Sequence, residues 1–193
     1  MIKSRYSGRR QYQKGLWVCE MQNFDFIVTT IRGFEDRAAS ELYELLSSLG
    51  DSGSKLRKAE PGGVLLLSAD ANSKLLDKVQ ETIKRQPWLL RTVQRIIPIQ
   101  KTVPTEINSI VRASAELGKS IPKKESFRIT VEKRHTNISR EELIKKSASH
   151  IDRKVDLDNP DWILLIEIVG GVTGLSLLKP DDILSTEKFR REL

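Results

Sequence analysis

Apolar positions follow two rhythms along this chain, and the places where the rhythm changes mark its elements. Phe24–Thr30 is rich in β-formers. From Phe34 to Leu49 the spacing lengthens to three and four, with Ala38, Leu42, Leu45, Leu46 and Leu49 on one face and Gly50 as a stop, so a helix is predicted. Leu56–Glu60 and Val64–Ser68 flank Pro61-Gly62-Gly63, a turn signal that predicts a hairpin. Asn72 can cap a helix running to about Arg85, with Leu75, Leu76, Val79 and Ile83 along one face. Leu90–Ile97 returns as a strand. The order β-α-β-β-α-β is that of a ferredoxin-like split βαβ unit.

Pro98 and Pro104 punctuate the passage into the second half. Thr105–Leu117 reads as a helix that turns Ile107, Ile110, Val111 and Leu117 inward and ends at Gly118. Phe127, Ile129 and Val131 alternate with Arg128, Thr130 and Glu132, as in a half-buried strand. Ser139-Arg140-Glu141-Glu142 is a capping box that opens a helix to about Val155, with Leu143, Ile144, Ala148 and Ile151 on its apolar face. Trp162–Val169 is almost continuously apolar, the signature of a strand covered on both faces. Gly170-Gly171 turns the chain into Thr173–Leu178. The expected class is therefore α/β (α+β). A basic tail spans residues 1–23, a ferredoxin-like unit residues 24–100, and a second unit of α-β-α-β-β order residues 101–193. Trp88 and Trp162 are read as core.

Charge changes this picture more than length does. The 193 residues carry 33 Lys and Arg against 26 Asp and Glu, a formal +7, which favours an anionic partner. The excess is not even. Residues 119–154 hold 11 cations and five acids, and residues 155–182 hold one cation and six acids. The tail, with five cations and one acid, interleaves Tyr6, Tyr12 and Trp17 with its charges. It reads either as a solubilising arm or as one that touches RNA. No apolar run approaches the roughly 20 residues of a membrane span. The N-terminus lacks the apolar core of a secretory signal. A single cysteine, Cys19, fits a reducing cytoplasm and excludes a cysteine-built zinc finger.

Catalytic constellations are absent from the sequence. Gly170-Gly171-Val172-Thr173-Gly174 is followed by Leu175 where a P-loop requires Lys, and it joins two strands. There is no G-x-G-x-x-G run, and His135 and His150 lie far apart with no cysteine nearby. No cofactor and no enzymatic activity are expected.

The informative cations lie between Lys119 and Lys154. Lys123 and Lys124 precede the strand, Arg128 projects from its outward face, and Lys133 and Arg134 close it. Arg140 stands in the first turn of the next helix, and Lys145 and Lys146 follow on that helix. A cation is unfavourable at a helix N-terminus unless an anion arrives or an acid stands beside it. Glu141 and Glu142 can be that acid. Alternatively Arg134, Arg140 and the free helix amides form a phosphate site.

At these residues the sequence resembles the THUMP domain, an RNA-binding module of several tRNA-modifying enzymes. The resemblance rests on Phe127-Arg128-Ile129-Thr130-Val131-Glu132-Lys133-Arg134, Ser139-Arg140 with Ile144, Val155-Asp156-Leu157, Asn159-Pro160-Asp161 before Trp162–Val169, and Gly174-Leu175-Ser176. The upstream half resembles the ferredoxin-like domain that precedes THUMP in such proteins. The ending, Lys188-Phe189-Arg190-Arg191-Glu192-Leu193, resembles that of stand-alone THUMP proteins, the Tan family of accessory proteins of tRNA cytidine acetylation and its animal counterpart.

The resemblance implies a cytoplasmic tRNA-binding adapter. It would recognise the acceptor end of tRNA and present it to a tRNA cytidine acetyltransferase that makes N4-acetylcytidine. RNA contacts would fall on Lys123, Lys124, Arg128, Lys133, Arg134, Arg140, Lys145 and Lys146. Two other readings stay open: a THUMP subunit serving thiolation or methylation, and a ribosome-associated RNA-binding protein.

Overall fold

The computed structural model describes residues 24–60, 62–69, 75–180 and 182–191. The tail at residues 1–23 and the Asn72 cap lie outside the described residues.

Two five-stranded sheets carry the fold. The first holds β1 (Phe26–Thr30), β2 (Lys55–Lys58), β3 (Val64–Ser68) and β4 (Val93–Pro98), in the antiparallel order β4-β1-β3-β2. With helices α1 (Glu35–Ser48) and α2 (Leu75–Arg85) this is the ferredoxin-like arrangement. The second sheet is built from β5 (Lys101–Pro104), β6 (Ser126–Arg134), β7 (Lys154–Val155), β8 (Trp162–Val169) and β9 (Val172–Leu178), in the order β5-β9-β8-β6-β7. Its helices are α3 (Ile107–Gly118) and α4 (Arg140–Ala148).

Apolar side chains stack these elements into four layers. Leu42, Leu45 and Leu46 of α1 and Val79 and Ile83 of α2 pack on Val28, Leu65 and Ile96 of the first sheet. Ile27, Leu66 and Ile97, on the opposite face, meet Ile163, Leu165 and Leu178 of the second sheet. The far face of that sheet, with Ile166, Ile168 and Leu175, is covered by Ile110 and Ala113 of α3 and Leu143 of α4. β8 thus buries alternate residues in two cores, which explains its unbroken apolar run.

The passage between the units is bonded along its length. Ser176 Oγ donates to Pro98 O at 2.6 Å, and Gln100 N donates to Leu175 O at 3.0 Å. The Gln100 amide closes on both backbone groups of Leu177. Gly174 lies where the layers come closest: a Cβ there would sit 3.0 Å from Ile99 and 3.2 Å from Phe24.

The structure departs from the sequence reading in four places. The helix opening at Arg140 ends at Ala148 instead of continuing to Val155, because Ser149 Oγ and His150 Nδ1 both take the Lys146 carbonyl. Ile151 still reaches the core by packing on Gly118, whose missing side chain makes room for it. Trp88 is not core. It sits in a 3-10 turn, Pro87–Leu89, that buries Pro87 and leaves the indole 56% exposed. Trp162 is half-buried because its indole N–H bonds Glu125, while Lys179 lies 3.9 Å above the ring. Finally, residues 184–191 return to the first sheet. β10 (Leu184–Ser185) pairs with the edge of β4, and α5 (Thr186–Arg191) follows. This pairing satisfies an otherwise open strand edge.

Gly174→Val should lower the unfolding free energy by about 1–3 kcal/mol through overpacking. In a chain already carrying Ile99→Ala the same change should cost less. Denaturant titration of the double-mutant cycle measures this coupling.

Candidate nucleic-acid interface

The alternation of β6 fixes where its cations go. Arg128, Thr130, Glu132 and Arg134 share the face of Ile163 and Leu165, toward the first sheet, whereas Ile129 and Val131 face the helices. The sequence reading of Arg128 and Arg134 as outward RNA contacts therefore meets a different environment. Arg134 Nη1 donates to Glu167 Oε2 at 2.8 Å, and the Glu167 side chain is only 3% exposed. Burial raises the Glu167 carboxyl above its ordinary pKa, and the Arg134 charge opposes that rise. Arg134 is thus committed to a buried carboxylate. Arg128 Nη1 bonds Leu157 O at 3.3 Å with its Nε enclosed, so this side chain anchors the loop after β7.

Arg140 and Lys133 stand at the other side of the turn that leaves β6. His135 makes that turn in the left-handed region, at φ 53°. Ser139 caps α4 by accepting from Glu142 N. Arg140 Nη2 lies 3.8 Å from Glu132 Oε2, with both side chains about half exposed. The acid that balances this cation is therefore Glu132 on the strand, and not Glu141 or Glu142. Lys133 Nζ donates to Ile138 O at 3.0 Å. Arg134 and Arg140 each face a carboxylate, Glu167 and Glu132, and these two acids are register neighbours on β8 and β6.

The remaining cations are displayed to solvent. Lys123, Lys124 and Lys145 are exposed and have no hydrogen-bond or ion-pair partner among the described residues. Lys146 pairs with Glu142 at 2.7 Å, an exposed i,i+4 contact of small energy. α4 runs back along the sheet, so its C-terminal end returns to the start of β6: Arg153 Nε donates to Ile121 O at 2.7 Å. Between α3 and α4 lies a groove of about 520 Å³, lined by Asn108, Val111, Arg112, Ala115, Lys146 and His150. Sequence reasoning missed Arg112, although Asn108, Val111, Arg112 and Ala115 form a helical stripe at spacings of three, four and seven. His150 donates through Nδ1 to Lys146 O, which leaves Nε2 as its free ring nitrogen.

The acidic loop that follows is tied to the scaffold. Ser126 N and Oγ donate to Asp161 Oδ2 at 2.7 and 2.8 Å, which holds the Asp161 carboxyl below its ordinary pKa. The negative charges after β7 are therefore partly consumed in fastening the loop to β6.

The family profile of the THUMP domain matches residues 104–178. Residues 104–178 are a THUMP domain. THUMP domain-containing protein 1 of Mus musculus is 28% identical over 110 residues, covering 52% of this chain and 31% of the relative. The chain thus matches about a third of the length of the curated relatives. Among solved structures, PH1313 from Pyrococcus horikoshii Ot3 has a TM-score of 0.62 at 16% identity, over 81% of this chain and 55% of that one. TrmN from Thermus thermophilus has a TM-score of 0.52 at 16% identity, over 80% of this chain and 45% of that one. A 4-thiouridine synthetase–RNA complex with bound ATP has a TM-score of 0.50 at 16% identity, over 81% of this chain and 42% of that one. These likenesses extend beyond the THUMP domain into the ferredoxin-like unit, and they are likenesses of fold.

Arg134→Ala should destabilise the fold by about 3 kcal/mol near neutral pH, because it strands the Glu167 charge in the core. The sign with pH follows from the raised carboxyl pKa. The penalty is largest above neutral pH, where Glu167 would be ionised, and shrinks as acid protonates it. Adding Glu167→Gln should recover most of the loss. Thermal unfolding across pH checks both statements.

Proposed function

We propose that this chain is a tRNA-binding adapter for a nucleoside-modifying enzyme, and specifically for a tRNA cytidine N4-acetyltransferase. The observation that carries the RNA-binding part is the unequal fate of the cations around the THUMP core. Arg128 and Arg134 are used internally, while Lys123, Lys124, Lys145, Lys146 and Arg112 stay on the helical side and its rim. Lys123, Lys124 and Lys145, which have no side-chain partner among the described residues, add little to folding, and like charges repel one another. A phosphate backbone neutralises that repulsion and releases counterions. Lys133 and Arg140 add cations near the N-terminus of α4, where free amides also favour an anion.

Support for the tRNA-modification part comes from the fold. A 4-thiouridine synthetase in complex with RNA shares it. The choice of cytidine acetylation rests on the resemblance of the segment Lys188-Phe189-Arg190-Arg191-Glu192-Leu193 to the Tan family. In this reading the chain supplies RNA affinity and orientation, and the enzyme supplies acetyl-CoA and ATP chemistry. Thiolation or methylation partners are the competing assignments.

With about five phosphate contacts, log K for tRNA should fall with log salt at a slope of roughly −4. Lys123→Ala and Lys145→Ala should each weaken binding and reduce that slope by about one unit, without changing the melting temperature. The isolated chain with acetyl-CoA, ATP and tRNA should form no acetylcytidine, and adding the acetyltransferase should produce it. Nucleoside mass spectrometry of tRNA from a deletion strain separates the assignments: loss of acetylcytidine supports this one, and loss of a thiolated or methylated nucleoside replaces it.

A further inference from the structure

At one end of the ferredoxin-like unit the β1–α1 loop and the turn before β4 carry exposed apolar side chains. Trp88 is 56% exposed, and Ile31 and Phe34 are each 43% exposed. Their backbones share an anchor. Ile31 N donates to Thr92 O at 3.2 Å, and Thr30 Oγ1 donates to the same oxygen at 2.8 Å. Thr92 N and Oγ1 both donate to Glu41 Oε2 at 2.9 Å. Phe34 N closes the β1–α1 loop on Ile31 O at 3.0 Å, and Arg91 Nε donates to Trp88 O at 3.3 Å. Pro87 and Leu90, on either side of the Trp88–Leu89 pair, are buried, so the turn holds the indole outward on a fixed base.

Two exposed guanidiniums flank this patch. Arg32 is exposed between Ile31 and Phe34, and Arg91 is exposed beside the Trp88 turn. Of the acids on the adjoining part of α1, Asp36 is exposed and pairs with Lys58, whereas Glu35 and Glu41 accept from backbone N–H groups. Glu35 Oε1 accepts from Gly33 N at 3.0 Å and Gly63 N at 2.5 Å, bonds that hold its carboxyl below the ordinary range. Glu41 is taken by Thr92 and by Arg37. Aromatic faces interleaved with guanidiniums suit a nucleic-acid strand: bases stack on the rings, and phosphates meet the cations. The patch also connects to the THUMP domain. The hairpin turn fixed by Glu35 leads to Glu60 O, 3.5 Å from where a Gly170 Cβ would stand, and Gly170 N donates to Arg134 O at the end of β6.

We propose that Trp88 and Phe34 form a stacking platform for unpaired RNA bases, with Arg32 and Arg91 holding the adjoining phosphates. The platform rests on the RNA-binding reading above and adds a second, non-electrostatic contact on the other unit. Stacking on an aromatic face is tolerant of base identity, so the platform reads single-strandedness and not sequence.

The test uses the full chain and two probes, a short single-stranded oligouridine and a blunt RNA duplex, followed by fluorescence anisotropy. Trp88→Ala and Phe34→Ala should each weaken oligouridine binding by about tenfold and leave duplex affinity unchanged. Trp88→Phe should retain most of the affinity. The salt slope should be unaltered in Trp88→Ala and shallower in Arg32→Ala. If wild type binds oligouridine and Trp88→Ala binds it equally well, the platform is wrong while the RNA-binding reading stands. If wild type binds neither probe, the RNA-binding reading itself fails. If Trp88→Ala keeps both RNA affinities but no longer binds the acetyltransferase, the patch is a protein-docking face and the proposal is overturned.

Discussion

The contact between the two sheets is the constraint on which the rest of this protein depends. It is a layer of branched aliphatic side chains, with Ile27, Leu66 and Ile97 on one side and Ile163, Leu165 and Leu178 on the other. Because β8 also faces α3 and α4, any loosening of this layer would expose the centre of the second core as well. The layer leaves little room for a side chain at position 174, and it encloses Glu167. A buried carboxylate needs a partner, and Arg134 is the side chain that the register of β6 on β8 brings to it. The arginine that closes β6 is thereby tied to a carboxylate that the packing of the adjacent strand buries.

The same requirement sorts the rest of the charge. Cations on the sheet face of β6 are absorbed internally, and those on the helices and loops remain outside. Hydrogen bonds at Gln100 and Ser176 and the pairing of β10 on β4 fasten one unit to the other. A surface shared by both units then keeps its geometry before any ligand arrives, which lowers the ordering cost of binding. In the proposed reading the exposed lysines of the THUMP domain and the exposed aromatics of the ferredoxin-like unit are complementary: one set would meet phosphate, the other an unstacked base.

Much of this fold was legible in the sequence because two periodicities carried it. The spacing of Ala38, Leu42, Leu45 and Leu46 and the Pro61-Gly62-Gly63 signal led to the ferredoxin-like order, and the apolar run of β8 announced a doubly covered strand. What the sequence could not reveal depended on tertiary partners. The helix after Ser139 stops early because Ser149 and His150 compete for a carbonyl. Trp88 faces water because a three-residue turn rotates its neighbours inward instead. Short elements such as β5, β7 and β10 carry too few residues for a pattern to register. Among the candidate site residues, exposure distinguished Lys123, Lys124 and Lys145 from Arg134, and no local signal in β6 pointed to Glu167, 33 residues further along. Arg112 went unnoticed because nothing within its own helix marks it until α4 is placed beside it.

In the proposed reading tRNA lies across the helical face of the THUMP domain and not on Arg128 and Arg134, whose guanidiniums have partners within the fold. Lysine-reactivity footprinting by mass spectrometry, on the full chain with and without saturating tRNA, addresses it directly. The account predicts strong protection of Lys123, Lys124, Lys145 and Lys146, with Lys55 on the distant edge of the first sheet still reactive. Unchanged reactivity at Lys123, Lys124 and Lys145 under saturating tRNA would contradict it.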